Sequence, residues 1–229
     1  MSLPFHTEFS LAGTRCLLST NSHELLRLSK PWHSIRVRPD TGSFRMSILE
    51  DTSINSDGPK FSHFRGLSHL VFAVLEPNGF LTFDLLRKSV FGVVSPAAAK
   101  DSQFWNVQLL PISLGLLGTV VGVAPLHCAC LDRDGSGLLV AGDSGAGKST
   151  LTAALAKKGF AVVSDDWTYV SYRPGQLAAH GMYAPIKLRL DSIRYFPELR
   201  RNTPRKTMNG ELAYEVNAAK VFHLSLIHI

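Results

Sequence analysis

Eight residues constrain this chain more than any others: Gly142-Asp143-Ser144-Gly145-Ala146-Gly147-Lys148-Ser149 satisfies the phosphate-loop pattern G-x-x-x-x-G-K-[ST] in full. The loop follows an apolar run, Leu138-Leu139-Val140-Ala141, and opens a stretch, 148–158, that reads as a helix ended by Gly159 with two lysines in its last turn. That context is what phosphate chemistry needs. Glycines let the backbone turn its N–H groups inward around a β-phosphate, and the helix start adds partial positive charge. Lys148 supplies a full charge to the β/γ oxygens, and Ser149, followed by Thr150, places a hydroxyl for Mg²⁺. Residues 142–150 therefore predict a nucleoside triphosphate site, with ATP and Mg²⁺ as its ligands.

The neighbouring strands supply candidate partners for the loop. Residues 126–131 and 137–141 read as strands joined through 132–136, a connection far too short for a parallel crossover, so they are expected to run antiparallel. A strand over 160–164 ends in Ser164-Asp165-Asp166, and Asp165 lies seventeen residues after Lys148. The carboxylates of Asp165 and Asp166 should emerge at the phosphate edge, where one acidic group can hold Mg²⁺ and a second can take a proton from an incoming hydroxyl. An Asp after a strand also commonly caps a turn. His127, fifteen residues before Gly142, should reach the same edge. His127-Cys128-Ala129-Cys130 is not a zinc site, because alternation along a strand separates the histidine from the cysteines and no second cysteine pair follows. Strands over 167–172 and 177–183 complete this half.

His127, the loop and the Asp165-Asp166 pair, in this order and at these spacings, resemble the catalytic domain of bacterial HPr kinase/phosphorylase; the stretch from Phe104-Trp105 through Leu126-His127-Cys128-Ala129-Cys130 and Ser164-Asp165-Asp166-Trp167-Thr168-Tyr169 looks more like the HPr-kinase-related subgroup than the founding enzymes. The resemblance is specific over 126–170 and loose elsewhere. It implies an α/β domain with a mixed sheet, of the phosphoenolpyruvate carboxykinase-like type, in which an antiparallel strand precedes the phosphate-loop strand. It implies Lys148 and the loop amides on the triphosphate, Ser149 on Mg²⁺, Asp165 as base toward a serine hydroxyl, His127 beside it and Asp166 in support. The family's Glu-Ile-Arg-Gly signature is not present; His180-Gly181 and Pro185-Ile186-Lys187-Leu188-Arg189 occupy that region. The expected activity is ATP-dependent transfer of the γ-phosphoryl group to a hydroxyl, favouring a serine on a protein acceptor that could be HPr-like. A small-molecule kinase, or an ATP-binding switch or scaffold, is the alternative.

The remaining sequence sets bounds. In 229 residues, 45% are hydrophobic and 18% charged, which excludes wholesale disorder. Three cysteines and no visible signal peptide predict a cytoplasmic protein. Residues 107–126 are long and uncharged enough to imitate a membrane span, but Pro111, Gly115, Gly118, Gly122 and Pro125 interrupt them, so a buried helix and strand are expected. The net charge of +6 concentrates near Arg194, Arg200, Arg201, Arg205 and Lys206 without interleaved aromatics or zinc-finger spacing, which argues against nucleic acid. Expected partners are a nucleotide and a protein acceptor; a homo-oligomer stays open. In the first half, strands are expected over 9–20, 44–49, 70–75 and 80–85, the last two joined by Glu76-Pro77-Asn78-Gly79, with helices over 22–29 and from Pro96. These observations predict a smaller α+β domain over 1–119 and the nucleotide-binding domain over 120–223. Residues 224–229 read as the in-frame translation of a transposase sequencing adaptor, so the second domain is expected to be truncated.

Overall fold

A computed structural model describes residues 3–30, 43–55, 60–76, 78–173, 176–182, 185–207 and 211–217; the adaptor-like 224–229 lies outside them. The chain divides into two compact units, Met1–Pro125 and Leu126–Ile229, so residues 120–125 fall with the first unit rather than the second.

The first unit is built on one mixed sheet. Its elements are β1 (Phe5–Leu11), β2 (Thr14–Thr20), α1 (His23–Ser29), β3 (Ser43–Glu50), β4 (Lys60–Leu67), β5 (Leu70–Glu76), β6 (Gly79–Asp84), β7 (Ser89–Val94) and α2 (Pro96–Lys100). A π-helical turn, Phe104–Leu109, runs into α3 (Leu110–Leu117), and a 3₁₀ turn, Thr119–Val121, leads to β8 (Val123–Leu126). The seven strands lie in the order β1-β2-β3-β7-β6-β5-β4. β3 pairs parallel with β2 and with β7; the other pairings are antiparallel. Alternate residues face the core, among them Cys16 and Leu18 on β2 and Phe44, Met46 and Ile48 on β3. Ser22 and Ser95 cap α1 and α2 by accepting from the amides of Leu25 and Ala98. The apolar run beginning at Phe104 is folded into the unit, with Phe104, Trp105, Leu109, Leu110, Leu114 and Leu117 buried. No helix among the described residues is long and apolar enough to cross a membrane.

The second unit contains β9 (Ala129–Arg133), β10 (Ser136–Val140), α4 (Lys148–Lys157), β11 (Ala161–Ser164), β12 (Thr168–Arg173), β13 (Gln176–Gly181) and β14 (Ile186–Arg189). Two 3₁₀ segments, Leu190–Tyr195 and Pro197–Arg201, then precede β15 (Arg205–Lys206) and β16 (Leu212–Val216). β10-β9-β11 and β14-β16-β15 are small antiparallel sheets, and β12 and β13 form a hairpin. One face of α4 packs Ala153 and Ala156 onto Leu131, Val162, Ile186, Leu188, Phe196, Leu199 and Val216.

The expected α/β architecture does not hold. Among the described residues the protein is mostly β, with one large seven-stranded sheet and three small sheets, and they do not show a kinase domain of the HPr kinase/phosphoenolpyruvate carboxykinase-like type behind a smaller α+β domain. The N-terminal part carries the largest sheet. Three physical reasons account for the difference. The predicted strand over 9–20 is two strands reversed at Ala12 and Gly13, which have φ of 49° and 73°. β4 and β7 carry Gly66 and Gly92, which weaken the strand signal. In the second unit the strands are four to six residues long, apart from the two-residue β15, and pair as local antiparallel groups instead of extending one sheet.

Candidate functional site

The site residues converge because two strands are referred to a third. β10 and β11 both pair antiparallel with β9, so they run in the same direction and end at the same edge. Cys130 on β9 is opposite Leu139 on one side and Ser164 on the other. The loop leaves that edge after β10, and Asp165 and Asp166 leave it after β11, about 10 Å away across two strand spacings. His127 lies two residues before the start of β9 and belongs to the same edge.

In the loop, Gly145 and Gly147 adopt φ of 83° and 91°, a left-handed backbone in which any side chain would be strained. The Ala146 amide donates to the Asp143 carbonyl at 3.1 Å, and the Gly147 carbonyl accepts from the Leu151 amide at 2.9 Å as α4 begins. Lys148 folds back over the loop: its Nζ donates to the carbonyls of Gly142 at 2.8 Å and Asp143 at 3.2 Å. Thr150 does not share this arrangement. Its hydroxyl lies 3.1 Å from that of Ser192, tying the first turn of α4 to the 3₁₀ segment.

The two carboxylates meet different surroundings. Asp165 is buried, at 7% exposure, and the burial pushes its carboxyl up to about 6. The Lys187 amide, which donates to Oδ2 at 3.3 Å, and the nearby Ser149 hydroxyl pull the other way, while Asp166 adds to the rise. Asp165 Oδ1 is buried and has no hydrogen-bond partner among the described residues. Asp166 is exposed, with Oδ1 3.0 Å from His127 Nε2, and the His127 ring lies 5.2 Å from that of Trp167. Cys128 and Cys130 are buried, free thiols.

A chain of buried hydroxyls fixes this end of the sheet. The Thr168 hydroxyl donates to the Cys128 carbonyl at 2.8 Å, which leaves the Ser164 hydroxyl to donate to Thr168 at 2.6 Å. Ser164 Oγ in turn accepts the Cys130 amide at 3.1 Å. Ser164 and Thr168, on either side of Asp165-Asp166-Trp167, are thereby anchored to β9 and to Cys128 just before it. From the other side β13 comes so close that a Cβ on Gly181 would lie 1.6 Å from the Val163 carbonyl oxygen.

Sequence reasoning passed over two cations here. Lys187 and Arg189 alternate with the buried Ile186 and Leu188 on β14, which puts both on the face away from the core. Lys187 lies near enough to Asp165 to lower its carboxyl, and Arg189 Nη1 is 3.8 Å from the position of a Cβ on Gly145. The signal was the apolar–basic alternation of a strand too short to recognise. Among the described residues no group of three or more His, Cys, Asp or Glu side chains could hold a metal by itself. Ser149 and Asp165 nevertheless stand close together with Asp165 Oδ1 buried and unsatisfied, and oxygen donors of this kind suit Mg²⁺, a cation that keeps much of its water and phosphate coordination.

No protein-family model matches the chain, and no curated protein matches it.

Proposed function

We propose that the chain binds Mg·ATP at the loop 142–149 and transfers the γ-phosphoryl group to a hydroxyl, with a serine on a protein as the favoured acceptor. The observation that carries this reading is that the loop and Asp165, a buried carboxylate with one oxygen unsatisfied, leave the same sheet edge, with Ser149 near the acid. The resemblance of His127, the loop and the Asp pair to HPr kinase supports the same chemistry. Phosphoryl transfer asks a protein mainly to position groups and balance charge. Lys148 would exchange its two carbonyl contacts for phosphate oxygens, and Asp165 would orient the acceptor hydroxyl and take its proton. Ser149 and Asp166 would hold Mg²⁺, which supplies charge neutralisation on the phosphates when bound. His127 would hold Asp166 in place through its 3.0 Å contact.

Labelling of cell extract with ATP carrying a γ-phosphate label tests this. Asp165→Asn should bind Mg·ATP nearly as the unaltered chain does and lose acceptor labelling by at least about a hundredfold, the usual range for a general base. Equal labelling by both forms would remove Asp165 from the reaction, and stimulated ATP hydrolysis with no labelled acceptor would favour a switch or scaffold.

A further inference from the structure

The outward face of β14 presents Lys187 next to the Asp165 carboxylate and Arg189 against the loop at Gly145. One cation of this strand therefore stands at the loop and the other at the acid, the two ends between which the reading above would move a phosphoryl group. Arg189 is not idle in the structure: its Nη2 contacts Glu211 Oε1 at 3.2 Å, with both side chains more than half exposed. An exposed pair of this kind holds its partners weakly, whereas a guanidinium meeting phosphate gains charge-assisted, two-pronged hydrogen bonds. Resting on the nucleotide reading above, we propose that Arg189 is a triphosphate-sensing residue: it leaves Glu211 for the terminal phosphate of bound ATP, and Glu211 is the competitor that holds it back.

The proposal makes two neighbouring substitutions act in opposite directions. If the Arg189–Glu211 pair served only to hold β14 to its neighbour, removing either partner would have the same effect. If Arg189 is drawn to the phosphate, its loss weakens ATP binding and the loss of Glu211 strengthens it. The experiment is titration calorimetry of the full chain with Mg·ATP and with Mg·ADP, for the unaltered protein, Arg189→Met, Arg189→Lys and Glu211→Gln, with circular dichroism to verify folding. Arg189→Met is expected to weaken Mg·ATP by about tenfold and Mg·ADP by much less, the scale of one hydrogen-bonded contact to a charged group. Arg189→Lys should recover part of the loss, and Glu211→Gln should tighten Mg·ATP. Equal losses for ATP and ADP in Arg189→Met, or weakening by Glu211→Gln as well, would overturn the assignment while leaving nucleotide binding intact. Failure of the unaltered protein to bind either nucleotide would instead remove the nucleotide reading, and this proposal with it.

Discussion

Asp165 bears its charge against its surroundings, and this can be measured without any acceptor. Its folded carboxyl, at about 6, lies above the ordinary 3.8, so between those values the folded chain holds a proton that the unfolded chain has released. Stability contributed by that proton is complete below about 3.8 and is lost as pH rises through about 6. Above pH 6 the ionised group then costs the fold about 3 kcal/mol. Asn cannot ionise. Thermal melts in metal-free buffer should show Asp165→Asn gaining on the unaltered chain at pH 7.5, with the gain fading toward pH 4. Parallel melting-temperature profiles for the two chains would contradict the burial argument. The same residue was legible in the sequence as an acid near the loop, through its spacing from Lys148. What was not legible was its inequality with Asp166: adjacent carboxylates look alike on paper, and only the Lys187 amide, the Ser149 hydroxyl and the His127 ring tell them apart.

At the scale of elements, β13 approaches β11 too closely for any side chain at Gly181. With Val163 O only 1.6 Å from a Cβ on Gly181, an alanine there cannot be accommodated by a side-chain rotation, because the obstacle is backbone. Gly181→Ala should cost about 3 kcal/mol or more, the scale of severe core overpacking, and should be visible as a lowered urea midpoint. A midpoint within error of the unaltered chain would show that the strands part easily. Elements with local signals were readable in advance: α1 from its serine cap, α2 from Pro96 in its first turn, the β5–β6 hairpin from its turn residues, and α4 from Gly159 and the lysines of its last turn. The predicted strand over 126–131 breaks at His127 and Cys128, between β8 and β9, since nothing in an apolar run marks a two-residue interruption. Gly181 gave no warning either, because a glycine required by a neighbour distant in sequence resembles any turn glycine.

At the scale of the whole molecule, the order of strands in the large sheet was beyond reach of the sequence, since β3 is joined to β2 and β7 by parallel pairings that skip long stretches of chain. Alternation identifies a strand's faces but not its neighbours. The same sheet leaves an apolar group in solvent: Phe72 and Val74 on β5, Phe80 on β6 and Phe91 on β7 are each about 39–47% exposed and share one face through the pairings Val74–Phe80 and Thr82–Phe91. Replacing Phe72 and Phe91 together by Thr, which suits a strand, should lower binding of an apolar fluorescent dye and any concentration-dependent association seen by light scattering, with the far-ultraviolet dichroism unchanged. Dye binding equal to that of the unaltered chain would show that these rings are not the accessible surface. The placing of Cys130 opposite both Leu139 and Ser164 has a consequence for how such a site can vary. Loop and acid are both dimensioned from one rung of β9, so the distance between them is a property of the sheet's cross-section. The sixteen residues that separate Lys148 from Asp165 are only the slack of a helical detour, and a residue added at the exposed turn of Lys158 and Gly159 would lengthen the detour while the two ends stay where β9 holds them.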